Sequence, residues 1–249
     1  MGNIGSLLCG SGKTEGIAKS ALDQLSKSID HFHERALEFL TKPFSADALS
    51  FGPFCARVVL ENSCAALVGR LDSFRVLYLS EFQTQPEYAY GKRAKSAFSW
   101  TGDVIPEEKV SRDMWSVDHD LQKINRALFS RYLDHIYWKP AVERMLDFAS
   151  SDRANPALTE ILELEAETYM DVTRGKSLQL YATLSKGVHW EFFTSTLLFD
   201  EETVKSMIRE TFLLVGHLGL TSHFIPTAYA SLSPELALKT YITFREEIP

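Results

Sequence analysis

The chain has 249 residues, 45% of them hydrophobic and 24% charged, and a formal net charge of -7. That length supports one large domain or two small ones with a sizeable core, and the composition is ordinary for a globular protein. The acidic balance excludes a broad basic nucleic-acid footprint, and no apolar run approaches the roughly 20 residues of a membrane helix.

The N-terminus lacks the basic-then-apolar pattern of a signal peptide. Cys9, Cys55 and Cys64 are an odd number of cysteines without metal-ligand spacing. Cys55 and Cys64 fall in an apolar helical pattern and read as small core residues, so a reducing cytoplasm is the simplest home. Residues 1–13 read as a flexible arm carrying two short motifs. Gly10-Ser11-Gly12-Lys13-Thr14 ends like a phosphate-binding loop, but Leu7 stands where the signature needs its first glycine, and too little chain precedes it for the leading strand. Met1-Gly2-Asn3-Ile4-Gly5-Ser6 fits the myristoylation pattern, with Cys9 as a second acyl site.

Helical rhythm begins at Thr14. Ala18, Leu22, Leu25, Ile29, Phe32, Ala36 and Phe39 form one stripe on a helix roughly 40 Å long, ended by Lys42-Pro43. Within it, Asp30-His31-Phe32-His33-Glu34 reads as polar residues on the exposed side of Phe32 or, alternatively, as metal ligands. A second helix is expected from Pro53 to Leu71, continuing through Phe74 to Leu79. It carries Arg57 and Glu61, four apart on one face; their apolar neighbours favour burial of this ion pair over a surface bridge.

Residues 84–110 break the rhythm with turn formers and aromatics. Lys92, Arg93 and Lys95 lie among Tyr88, Tyr90, Phe98 and Trp100, a mixture that suits single-stranded nucleic acid or a lid packed on the bundle. A long helix is expected from Ser111 to Trp138, with Trp115, Leu121, Ile124, Leu128 and Tyr132 facing inward, interrupted at Lys139-Pro140. Another starts at Asn155-Pro156 and ends at Arg174-Gly175, followed by a short helix from Leu178 to Lys186. Asp200 caps the next, and Ser233-Pro234-Glu235 opens the last, which runs to about Glu247. With no alternating strand pattern, the chain reads as all-α: a multi-helix bundle of about seven to nine helices, with residues 14–249 one domain.

One stretch is not explained by packing. Leu184-Ser185-Lys186-Gly187-Val188-His189 closes the short helix with a glycine and sets His189 beside Trp190. Together with Arg57 and Glu61, it resembles HEPN-like domains. The likeness is closest to an uncharacterised bacterial branch whose late helix reads Leu-Ser-Lys-x-x-His and whose earlier helix reads Arg-x-x-x-Glu, and it spans roughly residues 50 to 220. It implies an α-helical bundle, often dimeric, of a kind found in toxin–antitoxin and anti-phage systems. Active members cleave RNA without a metal through an arginine and a histidine separated by four to six residues; inactive members are binding or scaffold modules. Here Ala182, Thr183 and Leu184 stand where that arginine belongs. Arg112 to His119 matches the spacing, at a frequency that chance supplies.

Three functions follow as expectations. The first is an interaction or accessory module that binds a second copy or another protein. The second is a metal-independent ribonuclease: His189 moves the 2′-hydroxyl proton, and Lys186 or Arg174 steadies the phosphorane. A merely structural His189 would instead donate to the free carbonyls of a helix end. The third is a metal-binding bundle using Asp30-His31, Asp118-His119 and Asp134-His135, although no Glu-x-x-His is present. No cofactor and no DNA-binding motif are implied.

Overall fold

The computed structural model describes residues 2–88, 97–107, 114, 124–189 and 200–249. These residues build an all-α, multi-helix fold with no strand among them; one isolated bridge joins Thr101 and Ile105.

The central element is α3 (Ala46–Leu71), packed against α1 (Asn3–Cys9), α2 (Ile17–Thr41), α4 (Ser73–Gln83), α8 (Tyr169–His189) and α9 (Glu201–Ser222). It starts before the expected Pro53 because Ser45 caps it, accepting from the Ala48 N–H. Neighbours on several sides explain its composition. Among the described helices it is the one long and apolar enough to cross a membrane, and 67% of that window is buried within the fold.

The stripe on α2 is rotated from the expected one. The deepest row is Ala18, Leu22, Ser26, Ile29, His33, Ala36 and Leu40, while Leu25, Phe32 and Phe39 pack on its flank, partly buried. His33 is therefore not on the exposed side. Its ring lies 4.4 Å from that of Phe212 and 5.5 Å from that of Phe244, and burial lowers its pKa to about 4.

The expected N-terminal arm is a helix. In α1, Ile4, Leu7, Leu8 and Cys9 are buried, against α2, α9 and α10 (Pro234–Glu246). The Asp30 carboxylate accepts from the N–H groups of Gly2 (2.6 Å) and Gly5 (2.9 Å), which places negative charge at the positive end of α1. Gly5 allows this approach, since a Cβ there would lie 2.3 Å from Ser26 Oγ. The Gly10-Ser11 run that follows is a clasp on another loop. A helix rather than a strand leads into it, Gly10 takes a left-handed φ of 81°, and the Ser11 N–H donates to Ala230 O at 2.7 Å.

That clasp covers Arg70, which is 1% exposed in the last turn of α3. Its Nε donates to Tyr229 O at 2.9 Å, Nη1 to Leu7 O and Ser222 Oγ, and Nη2 to Ser231 Oγ at 3.0 Å; Nη2 also faces His223 Nδ1 at 3.1 Å. None of these acceptors carries a charge. The cation lies instead where the C-terminal ends of α1, α3 and α9 meet, each with a partial negative charge. Burial lowers the Arg70 pKa only to about 10, so it stays charged at neutral pH. Burial first, and then the Arg70 charge, push the His223 pKa far below the ordinary imidazole value, so that side chain stays neutral.

The second half departs from expectation in three places. The long helix from Ser111 does not run through residues 124–130, which are non-helical. The Leu128 and Phe129 N–H groups are taken by Asp103 O and Val104 O, and Ser130 caps a helix that starts only at Arg131. Leu128 is buried as expected, whereas Trp115 and Leu121 lie outside the described residues. From α5 (Arg131–Leu133) the chain passes through a wide π turn (Asp134–Trp138) into α6 (Lys139–Ala149). That wider turn accommodates Pro140, which has no N–H and whose ring crowds the preceding turn.

Next, residues 163–168 are irregular after the short α7 (Thr159–Leu162), so the helix expected from Pro156 to Arg174 is not continuous. Finally, α8 runs unbroken through Gly175 and Gly187. Neither glycine is left-handed. A mid-helix glycine costs only about 1 kcal/mol, and the buried positions Met170, Thr173, Ser177, Leu180 and Leu184 keep a helical spacing across Gly175. Asp200 caps α9 and Ser233 caps α10, as expected.

Two outcomes follow. Arg70→Met, which orphans several buried acceptors at about 1–3 kcal/mol each, should lower the unfolding free energy by roughly 3–5 kcal/mol in urea titrations. A loss under 1 kcal/mol would remove Arg70 from the centre of the fold. Unfolded His33 binds its proton near pH ~6.5 and folded His33 near 4, so the unfolded state carries more protons in that window. Stability should therefore fall as pH drops from about 6.5 to 4, by on the order of 3 kcal/mol from His33, and His33→Leu should flatten part of that slope.

Candidate functional site: a cleft built around Tyr181

Arg57 and Glu61 lie one turn apart on α3, and the pair forms as expected, with Nε donating to Glu61 Oε1 at 3.0 Å. The Arg57 side chain is largely buried and that of Glu61 is 40% exposed, so the bridge sits at a margin rather than in the core. Arg57 also reaches α8. Its Nη2 donates to Tyr181 OH at 3.0 Å, joining residues 124 apart, and its guanidinium carbon lies 4.7 Å from the ring centroid. Trp100 stacks on the same tyrosine, with centroids 4.2 Å apart and planes at 7°. Each such contact contributes roughly 0.5–1.5 kcal/mol. Ser185, one turn further along α8, donates its hydroxyl to Tyr181 O at 2.7 Å. Four residues singled out in the sequence, Arg57, Glu61, Trp100 and Ser185, thus converge on one that was not. The i, i+4 relation of Tyr181 to Ser185 was the available signal.

Trp100 is carried by a tight irregular turn, Trp100–Val104, that is clamped on two sides. Asp103 accepts from the Ser99 N–H and pairs with Arg75 of α4, whose guanidinium lies 5.7 Å from the Phe98 ring. Val104 and Ile105 are buried beneath. Residues 97–107 of the expected loop thus pack on the bundle, while Lys92, Arg93 and Lys95 lie outside the described residues.

Behind Tyr181 lies a cleft of about 610 Å³ between α2, α3, α4 and the Trp100 turn. Its walls mix apolar Leu79 and Phe98 with polar Gln24, Asn62 and Ser80. Asn62 is oriented by donating Nδ2 to Ser28 Oγ at 2.9 Å. Trp100 lines the cleft, and its indole N–H is buried without a hydrogen-bond partner among the described residues. The carboxylate on the wall, Glu61, is already held by Arg57. The arrangement suits holding a ligand.

Of the candidate catalytic residues, Lys186 lies beside His189 on α8 and Arg174 does not. His189 is the last described residue of α8, still helical rather than placed after a terminating glycine, and it is exposed, as is Lys186 one turn earlier. Arg174 lies on the same helix, about 22 Å back at ~1.5 Å per residue, where it pairs with Asp171 at 2.9 Å. Tyr88 is exposed and meets Phe82 edge-on. Lys92, Arg93, Lys95, Asp118, His119 and Trp190 lie outside the described residues. Asp30 is engaged by α1, and among the described residues no three His, Cys, Asp or Glu side chains form a group able to hold a metal.

A double-mutant cycle with Arg57→Ala and Tyr181→Phe should give a coupling of about 1 kcal/mol, the lower range for a charge-assisted bond that is partly solvated. Additive losses would mean that the two side chains merely coexist. Trp100→Ala should speed amide exchange at Val104 and Ile105 while leaving α9 protected.

No family model matches the chain, and no curated protein or solved structure is significantly similar to it.

Proposed function

We propose that the chain is a non-catalytic, HEPN-like helical binding module that holds a ligand in the Tyr181 cleft. The supporting observation is the cleft itself, walled by Trp100, Asn62 and Glu61 beside the Arg57–Tyr181–Trp100 assembly, whose volume of about 610 Å³ falls within the usual ~300–1,000 Å³ of ligand sites. An accessory role beside a protein partner, as in bacterial defence or toxin–antitoxin systems, rests on the resemblance of Arg57, Glu61 and the Leu184–His189 run. The ribonuclease reading has less support: Lys186 lies one turn from His189, but Arg174 stands far along α8 and no cleft lining includes His189 among the described residues.

Two experiments test this. In a small-molecule fragment screen read by thermal shift, genuine cleft ligands should stabilise the wild type and lose that effect in both Trp100→Ala and Asn62→Leu. Hits indifferent to both variants would remove the cleft from the function. Induced expression of the wild type and of His189→Ala should leave growth and total RNA intact in both. Cut RNA in the wild type alone would replace the binding module with a ribonuclease centred on His189.

A further inference from the structure

The Tyr181 cleft has walls of two chemical kinds. On α3, Glu61 and Asn62 present acceptors side by side. Glu61 gives Oε1 to Arg57 Nε at 3.0 Å, and its carboxylate keeps lone pairs on Oε2. Asn62 is held by its Nδ2, which donates to Ser28 Oγ at 2.9 Å, and its carbonyl oxygen remains to accept. The Arg57–Glu61 pair is also oriented. The arginine side chain, 18% exposed, turns to Tyr181, while the 40% exposed carboxylate lines the cleft and the guanidinium does not. The cleft therefore meets the negative end of that pair. Its other lining is aromatic, from Phe98, Trp100 and Tyr181, and the faces of such rings carry negative potential.

We propose that the cleft selects an organic ammonium on a flat apolar body, an aryl-alkyl amine, a class that rests on the cleft being a ligand site in the first place. Three observations converge on it. An ammonium has three donors and no acceptor, which matches a wall made of a carboxylate and a carbonyl oxygen. Aromatic faces attract cations, and the chain already uses that contact here, with the Arg57 guanidinium 4.7 Å from the Tyr181 centroid. Flat rings pack well on flat rings, as Trp100 does on Tyr181 with planes at 7°, so the apolar part of the ligand is aromatic. An anion is the poorer guest. Among the described residues no lysine or arginine lines the cleft, and the guanidinium beside Phe98, that of Arg75, is taken by Asp103. The net charge of -7 adds a general attraction for cations. A phosphate-bearing ligand is therefore not what this cleft reads.

Calorimetric titration of the full chain with three indoles tests this, because they differ in the group that ends the side arm. Tryptamine ends in an ammonium, tryptophol in a neutral hydroxyl and indole-3-acetate in a carboxylate. Tryptamine should bind about tenfold tighter than tryptophol, the usual gap between a charge-assisted and a neutral hydrogen bond, and indole-3-acetate weakest of all. Glu61→Gln should bring tryptamine down to the affinity of tryptophol and leave tryptophol unchanged, which shows that the variant keeps its cleft. Asn62→Asp, which adds a second carboxylate of the same shape, should tighten tryptamine; an unchanged or weaker affinity there overturns the inference. A tryptamine preference that survives Glu61→Gln seats the ammonium elsewhere and overturns it too. Equal affinities for the three indoles, all lost in Trp100→Ala, remove the amine class but keep the cleft as a ligand site. If none of the three binds, the inference falls, whereas the ligand site itself falls only when the fragment screen also finds nothing sensitive to Trp100→Ala and Asn62→Leu.

Discussion

The fold depends on a buried guanidinium with no carboxylate among its bonded partners. Arg70 is stabilised by carbonyl and hydroxyl oxygens and by the negative ends of three helices. An isolated buried cation is costly, and it persists only where every donor is satisfied. The requirement runs both ways. The Leu7 and Tyr229 carbonyls are buried beside the cation and depend on it for a donor. The planar fork of arginine reaches acceptors in α1, α9 and the 229–231 loop at once, which the single point charge of a lysine could not do. The neutral His223 follows from burial and from that charge, whereas the Cys9 thiol stays protonated because burial, which pushes its pKa up to about 12, outweighs the opposing pull of Arg70.

The continuity of α8 has a parallel effect on the cleft. Because the helix does not break at Gly175, Tyr181 and Ser185 are carried on one rigid rod anchored by Met170, Leu180 and Leu184. Arg57 is equally fixed by α3. The Trp100 turn is held by these two rods on one side and by Arg75 of α4 on the other. A site whose walls come from regular helices keeps its shape, and the one irregular wall is pinned by stacking and an ion pair.

The all-α class, the α9 and α10 caps and the Arg57–Glu61 pair were legible because each rests on local chemistry: an apolar period, a capping side chain, a one-turn spacing. Legibility failed where a distant partner decided the matter. Glycines 175 and 187 looked like stops, but packing against α3 and α9 outweighs a mid-helix glycine. The His33 position looked solvent-facing because Phe32 beside it seemed the better core residue, and only Phe212 and Phe244, far along the chain, show which of the two faces inward. Residues 1–13 looked like an arm because Asp30 and Ala230, which hold them, are remote in sequence. At the cleft, Tyr181 went unnoticed since neither Arg57 nor Trp100 is near it along the chain.

The Arg70 bonds bridge 63, 152, 159 and 161 residues. Consequently α1 is synthesised well before part of the surface that holds it. Leu7 and Leu8 meet α2 soon after they are made, but the rest of the ground on which α1 docks, from the end of α9 through the 229–231 loop to α10, follows roughly two hundred residues later. During elongation the face of α1 that meets α9 and α10 stays uncovered, and long-range contacts of this kind close slowly. The stretch from the end of α9 to α10 therefore gates the final docking of α1, and a nascent chain stalled before residue 229 would display part of the apolar face of α1 to any holdase nearby.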